Sequence, residues 1–213
     1  MKKIICTLII LIPSILSAQH KFSSVKLGMF SPRATETGFI LGYEGGWYID
    51  DNFLLGYSAD WFNKNYVDRK LVDDYNEFYG NIYSSLNELR AKTNLHSIPL
   101  MFSVNGSWPV APKTHAYLTG SGGLEILLIF YRDYDNPNDS KFQGAFDFCW
   151  RLGGGIMYEL GQRSDAFFEI GYHSSVPSWT YDVRDIATGK KKTFERRFDM
   201  SGIMFRVGLR FYY

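Results

Sequence analysis

Gly202-Ile203-Met204-Phe205-Arg206-Val207-Gly208-Leu209-Arg210-Phe211-Tyr212-Tyr213 alternates without a slip. Ile203, Phe205, Val207, Leu209, Phe211 and Tyr213 fall on one side, and Gly202, Met204, Arg206, Gly208, Arg210 and Tyr212 on the other. A period of two places successive side chains on opposite faces of a β-strand. The run is longer than the 5–6 residues common in soluble strands and suits the roughly 9–11 that a tilted strand needs to cross a bilayer.

Seven further segments of the same kind precede it, at about 22–31, 37–48, 53–65, 94–108, 115–131, 142–160 and 166–181, with the last at 197–213. Val25, Leu27 and Met29 oppose Lys26 and Gly28; Leu41, Tyr43 and Trp47 oppose Glu44; Leu55, Tyr57 and Trp61 oppose Asp60. Ile98, Leu100, Phe102, Val104 and Trp108 oppose Ser97, Ser103 and Asn105. Leu118, Leu124, Ile126, Leu128 and Phe130 oppose Tyr117, Thr119, Ser121 and Glu125. Phe146, Phe148, Trp150, Leu152, Ile156 and Tyr158 oppose Asp147, Cys149, Arg151 and Glu159, while Phe168, Ile170 and Tyr172 oppose Glu169, Gly171 and His173. Short connections at 49–52, 109–114 and 161–165 alternate with mostly longer ones at 32–36, 66–93, 132–141 and 182–196. That alternation, with an even strand count, is the layout of an up-and-down barrel with short turns at one rim and loops at the other.

Alternation alone does not say which face points inward, because a soluble barrel hides its apolar face and a membrane barrel displays it. Facing lipid, mid-strand arginines such as Arg151 and Arg206 would cost about 2–4 kcal/mol each. The chain also carries 15 Tyr, 17 Phe and 5 Trp, more large rings than an eight-stranded interior holds. Trp47, Phe53, Trp108, Phe168 and Tyr213 gather near one set of strand ends, and Trp61, Phe130, Phe142 and Trp179 near the other. Two such belts are the interfacial girdles of a transmembrane barrel. The expected fold is therefore all-β, an eight-stranded antiparallel transmembrane β-barrel with its charged face turned in.

The N-terminus agrees. Met1-Lys2-Lys3 is basic, Ile4 to Leu16 is apolar, and Ser17-Ala18-Gln19 offers a cleavage point. This is the layout of a secretory signal peptide over 1–18, leaving 19–213 as the barrel domain. Cys6 lies inside the apolar run rather than at the cleavage point, so no lipid anchor is expected. Cys149 alone then remains, which excludes an intramolecular disulfide. A net charge of +1 gives no basis for nucleic-acid binding.

Several short stretches carry a family likeness: Val25-Lys26-Leu27-Gly28-Met29, Gly38-Phe39-Ile40-Leu41-Gly42, Ile98-Pro99-Leu100 and Leu152-Gly153-Gly154-Gly155. With them the layout resembles the small outer-membrane barrel family common in Bacteroidota, which includes PorT-like proteins. The end Val207-Gly208-Leu209-Arg210-Phe211-Tyr212-Tyr213 is similar to the C-terminal signal read by the barrel-assembly machinery. The resemblance implies fold, an outer-membrane location and that machinery as a partner. The family has no shared activity, so no mechanism comes with it.

The charged face defines the candidate site: Lys26, Glu44, Asp60, Glu125, Asp147, Arg151, Glu159, Glu169, His173, Arg206 and Arg210, expected to pair across a narrow lumen. Glu125 and Asp147 on neighbouring strands mimic a general acid/base pair, but ion pairing to Arg151 or Arg206 is the plainer expectation. His173, Ser175 and Glu169 invite comparison with outer-membrane lipid A deacylases, whose His-x-Ser pair faces lipid; parity here turns His173 and Ser175 inward. Scattered His20, His96, His115 and His173 give no metal spacing, and neither cofactor nor catalysis is expected. Leu71, Tyr75, Phe78, Ile82, Leu86 and Leu89 predict a short amphipathic helix within 66–93, either a lid or membrane-surface helix or a loop packing its own apolar face on the rim. Lys190, Lys191, Lys192, Arg196 and Arg197 form a basic patch suited to lipopolysaccharide phosphates, or a solvated loop tip. Three functional readings follow: a barrel with a filled lumen and a structural or surface-binding role; a narrow passage for small apolar molecules like that of OmpW-like barrels, motivated by Met101, Met157 and Met204 on the inner face; and, least favoured, an outer-membrane lipid-modifying enzyme acting through His173.

Overall fold

A computed structural model of the protein describes residues 21–67, 92–132, 140–184 and 191–213. Among them the chain forms β1 (Lys21–Pro32), β2 (Gly38–Tyr48), β3 (Phe53–Val67), β4 (Lys92–Ala111), β5 (Thr114–Arg132), β6 (Ser140–Gly161), β7 (Ser164–Ser174), β8 (Ser178–Arg184), β9 (Lys191–Arg197) and β10 (Gly202–Tyr212). The sheet runs β5-β4-β3-β2-β1-β10-β7-β6, and β5 pairs with β6, so it closes on itself through eight antiparallel staves. β8 and β9 pair with each other as a hairpin above β7 and β10.

The register fixes the size of the barrel. From Phe22 the direct pairs lead to Gly46, Gly56, Ser103, Ser121, Arg151, His173 and Gly202, then back to β1 at Pro32. The circuit closes about ten residues above its start, and this offset is the stagger that tilts strands in a barrel. With a rise of about 3.3 Å per residue and strands about 4.7 Å apart, it implies a tilt near 40° and a backbone radius of about 8 Å. A cylinder that narrow is filled by its own side chains.

Burial follows parity round the wall. Phe102 is 76% exposed, and Val25, Leu27, Leu118, Phe146, Phe148, Leu152, Val207 and Leu209 also lie bare on the outside. Lys26, Glu44, Asp60, Arg151, Arg206 and Arg210 are buried. An apolar outside around a charged inside inverts the soluble arrangement, and hydrocarbon is the solvent that such a surface fits. Aromatic groups mark both rims of this belt. Phe53 meets Trp108 edge to face near the short turns; Trp61 stacks on His96, which meets Phe130, which in turn meets Phe142 near the opposite rim.

The staves match the expected eight, but two are interrupted. The segment expected as one strand over 166–181 breaks at 175–177, where the Val176 N–H facing β6 goes to the Asp147 carboxylate and Pro177 has no N–H to return to Phe198 on the other edge. The one expected over 197–213 starts at Gly202, because Phe198 and Met200 turn into the barrel and Asp199 accepts the Ser201 N–H. The stretch 182–196, expected as a loop, contributes to the β8–β9 hairpin. The β4–β5 connection shrinks from 109–114 to Pro112 and Lys113, with Lys113 at φ 60°. The helix expected within 66–93 and the signal peptide over 1–18 lie outside the described residues.

Candidate functional site, the lumen network

Lys26, at the middle of β1, points inward between β2 and β10. Its Nζ lies 2.7 Å from Glu44 Oε2 and 3.2 Å from Glu169 Oε2. Glu44 also accepts Ser103 Oγ at 2.9 Å and Asn105 Nδ2 at 3.1 Å, with Arg210 at 3.8 Å. Glu169 takes the Arg206 guanidinium and the Tyr117 hydroxyl, the latter at 3.2 Å. Arg206 reaches on to Asp60 at 3.1 Å, and Asp60 takes Arg151 at 2.6 Å from the opposite wall. These contacts form one connected network containing a residue from each of the eight staves.

Backbone geometry makes room for it. A Cβ on Gly28 would lie 1.9 Å from the Phe205 carbonyl oxygen and 2.9 Å from Arg206 Cγ, and one on Gly42 would lie 2.0 Å from Asp60 Oδ1. Glycine at these inward positions is therefore the space occupied by the Arg206 and Asp60 side chains. Buried charges carry a desolvation cost that only close, mutually satisfied pairing offsets. The connected belt holds Lys26, Arg151, Arg206 and Arg210 against Glu44, Asp60 and Glu169; Glu125, one layer higher, brings the carboxylates level with the cations.

Glu125 and Asp147 stand directly opposite each other on β5 and β6, yet neither forms the expected ion pair with Arg151 or Arg206. Glu125 accepts Ser97 Oγ at 2.6 Å and His173 Nε2 at 2.9 Å, because the stagger brings His173 rather than an arginine to its height. Asp147 accepts the Val176 N–H at 2.6 Å. Ser175 Oγ turns to Asp147 rather than to His173, so no nucleophile–base pair forms there. Glu159 sits half-buried at the lower mouth, 3.6 Å from His115 Nδ1. Lys191, Lys192, Arg196 and Arg197 lie on β9, where of their side chains only that of Arg197 is described, and it is exposed; Lys190 lies outside the described residues.

Above the belt the lumen changes character. Phe30, Ile40, Phe62, Leu95, Leu127, Ile129, Ala145, Phe198, Met200 and Met204 form one buried apolar cluster there. Its sequence signal is the loss of alternation at the upper strand ends, as in Met29-Phe30, Phe39-Ile40-Leu41, Trp61-Phe62 and Leu127-Leu128-Ile129-Phe130, where both faces become apolar. Below the belt, Tyr117, Met157 and Phe167 cluster, Arg210 lies over the Phe22 ring at 4.7 Å, and Tyr212 donates to Asp165. Beneath these, a vestibule of about 690 Å³ opens between the short turns, lined by Tyr48, Ser107, His115, Glu159, Asp165 and Tyr212 among others. Met101, Met157 and Met204 are all buried on the inner face. Among the described residues no cluster of His, Cys, Asp and Glu could hold a metal ion.

This architecture is similar to that of small outer-membrane barrels. A major outer membrane protein from Thermus thermophilus aligns over 91% of this chain and 99% of its own, at 14% identity and a TM-score of 0.58. Outer membrane protein OprG from Pseudomonas aeruginosa aligns over 92% and 96%, at 12% identity and a TM-score of 0.56. Neisserial surface protein A aligns over 91% and 96%, at 10% identity and a TM-score of 0.54. At such identities the likeness is one of fold. No family model and no curated protein matches the chain.

Proposed function

We propose that the chain is an integral outer-membrane barrel whose lumen is closed to water and ions, and that its role is structural or lies in binding at the cell surface. The observation that carries this reading is the belt of ion pairs and hydrogen bonds joining all eight staves, stacked between apolar side chains above and below. An aqueous path would have to cross both. Planar-bilayer recordings with purified protein test it: no steady conductance steps are expected, and their appearance would contradict a closed lumen. On a gel the folded barrel should migrate differently before and after boiling.

The motifs quoted above support placement in the PorT-like group of barrels and insertion by the barrel-assembly machinery through β10, after cleavage of a signal peptide. Outer-membrane lipid is then the partner of the apolar belt. Lipopolysaccharide phosphates are the partner proposed for Lys190, Lys191, Lys192, Arg196 and Arg197. Changing all five to Gln should weaken lipopolysaccharide binding; equal affinity before and after would remove the idea. A second reading, a narrow passage for small apolar molecules, is favoured by Met101, Met157 and Met204 on the inner face and by the apolar upper lumen. No lipid-modifying activity is proposed, since His173 is committed to Glu125 and Ser175 to Asp147.

A further inference from the structure

β6 passes β7 and β8 in one constant register. Trp150 faces Ser174 and Phe146 faces Ser178, so Asp147, Phe148 and Cys149 stand opposite Pro177, Val176 and Ser175, yet no ladder pair joins these three positions. Pro177 has no N–H, but residue 177 turns its polar edge to the stretch before β10, where its carbonyl accepts from Phe198 N, and the donor facing β6 is that of Val176. The Val176 N–H is given instead to the Asp147 carboxylate at 2.6 Å, and Ser175 Oγ approaches the same oxygen at 3.5 Å. On its other edge the 175–177 segment is tied to the inward-turned stretch before β10, with Met200 N donating to Ser175 O and Phe198 N to Pro177 O. Thus a side chain closes the wall where a backbone ladder closes it elsewhere. A shorter interruption faces Pro99 in β4, but there the β3–β4 ladder resumes from Phe62↔Ser97 to Val67↔Lys92. Above the 175–177 gap, among the described residues, Phe146↔Ser178 is the one ladder pair between β6 and β8.

The two sides of this gap are both apolar. Phe146, Phe148 and Val176 are exposed on the outer surface, while Ala145, Cys149, Pro177 and Met200 are buried behind it. We propose that the gap is a side opening latched by Asp147, through which an apolar molecule dissolved in the membrane reaches the upper lumen. The upper lumen is a packed apolar cluster, so a hydrocarbon-like guest enters by displacing side chains such as Phe30, Leu127, Met200 and Met204, and the charged belt beneath keeps it from being conducted. Opening breaks the carboxylate bonds to Val176 and Ser175 and the single bridge above them, whereas parting other staves breaks an entire ladder. The idea is independent of the closed-lumen reading, since a blind side opening carries no current.

Cys149 is a built-in reporter, being free and buried immediately behind the gap. The full chain in lipid bilayers is treated with N-ethylmaleimide, which dissolves in lipid, or with a charged maleimide confined to water. Modification at Cys149 is then read by peptide mass spectrometry. The native protein should react slowly with N-ethylmaleimide and negligibly with the charged reagent. Asp147→Ala removes charge-assisted bonds worth about 1.5–3 kcal/mol, so its reaction with N-ethylmaleimide should quicken about tenfold or more. Asp147→Asn keeps an acceptor for the Val176 N–H without the charge, so its rate should lie between those of the native protein and Asp147→Ala. Unchanged rates in Asp147→Ala would overturn the proposal, as would equal reaction with the charged reagent, which would place the route through the aqueous mouths. Heat-dependent migration verifies that each variant is folded; should Asp147→Ala fail that check, an Asp147→Asn rate equal to that of the native protein overturns the proposal by itself.

Discussion

Asp60 accepts two arginines from strands on the far side of the barrel; among the described residues it is the carboxylate paired with Arg151, and it shares Arg206 with Glu169. Asp60→Ala leaves Arg151 and half of Arg206 charged in a closed interior, which costs about 3–5 kcal/mol when one partner of a buried pair is removed. Urea unfolding in detergent micelles should show that loss, while Glu36→Ala, at an exposed rim pair with Lys64, should lie within about 0.5 kcal/mol of the native protein. Gly28 makes the complementary point about volume. A methyl there meets the Phe205 carbonyl at 1.9 Å, so Gly28→Ala must push β1 from β10 and should yield little heat-modifiable barrel after refolding. That such glycines stand opposite long charged side chains was legible in the sequence from parity alone. Which cation meets which carboxylate was not, because pairing across the lumen depends on the stagger summed over every hairpin. Glu125 illustrates the difference: strand adjacency suggested an arginine, and the accumulated offset delivered His173.

At the scale of a strand, faces are robust and ends are fragile. Every β10 residue lies on the side that counting by twos assigns it, since one misplaced residue would turn Arg206 and Arg210 into hydrocarbon. Val207→Arg imposes that error at a single outward position. It should cost about 2–4 kcal/mol in the same unfolding measurement if Val207 lies near the bilayer midplane. Strand ends obey local chemistry instead. Ser174-Ser175-Val176-Pro177 retains an extended pattern on paper, but the Asp147 carboxylate takes the Val176 N–H on one edge and Pro177 lacks a donor on the other, so the ladders stop there. Likewise the upper ends carry apolar residues on both faces, which hides the period and left the inner plug unforeseen. Lys113 holds φ 60° after Pro112, the arrangement of a turn that favours glycine at its second central position. Lys113→Gly should raise stability by about 0.5–1 kcal/mol, read as a higher urea midpoint, because a side chain in that conformation is strained.

Across the whole molecule the barrel reads as three storeys: an aromatic lower lumen above an open vestibule, a charged belt, and an apolar plug. Only the middle storey could be named from composition, because charges buried in a narrow cylinder have to find one another. The hydrocarbon-facing belt was equally plain, since ten or so charges cannot be turned outward in a domain whose stability is about 5–15 kcal/mol. Function is less legible for the same reason: the groups that hold the fold use up the chemistry of the interior.

The wall closes where β1 meets β10, staves that stand far apart in the chain and pair from Phe22↔Tyr212 to Pro32↔Gly202. A seven-stave precursor would therefore present two open edges, on β1 and β7, until the last stave arrives. Its interior would also be electrically lopsided, with Lys26 and Arg151 facing Glu44, Asp60, Glu125 and Glu169. β10 carries the two missing positive charges, Arg206 and Arg210. The surplus of negative charge in such an unfinished cylinder would be matched when β10 reaches the depth at which Arg206 meets Asp60 and Glu169.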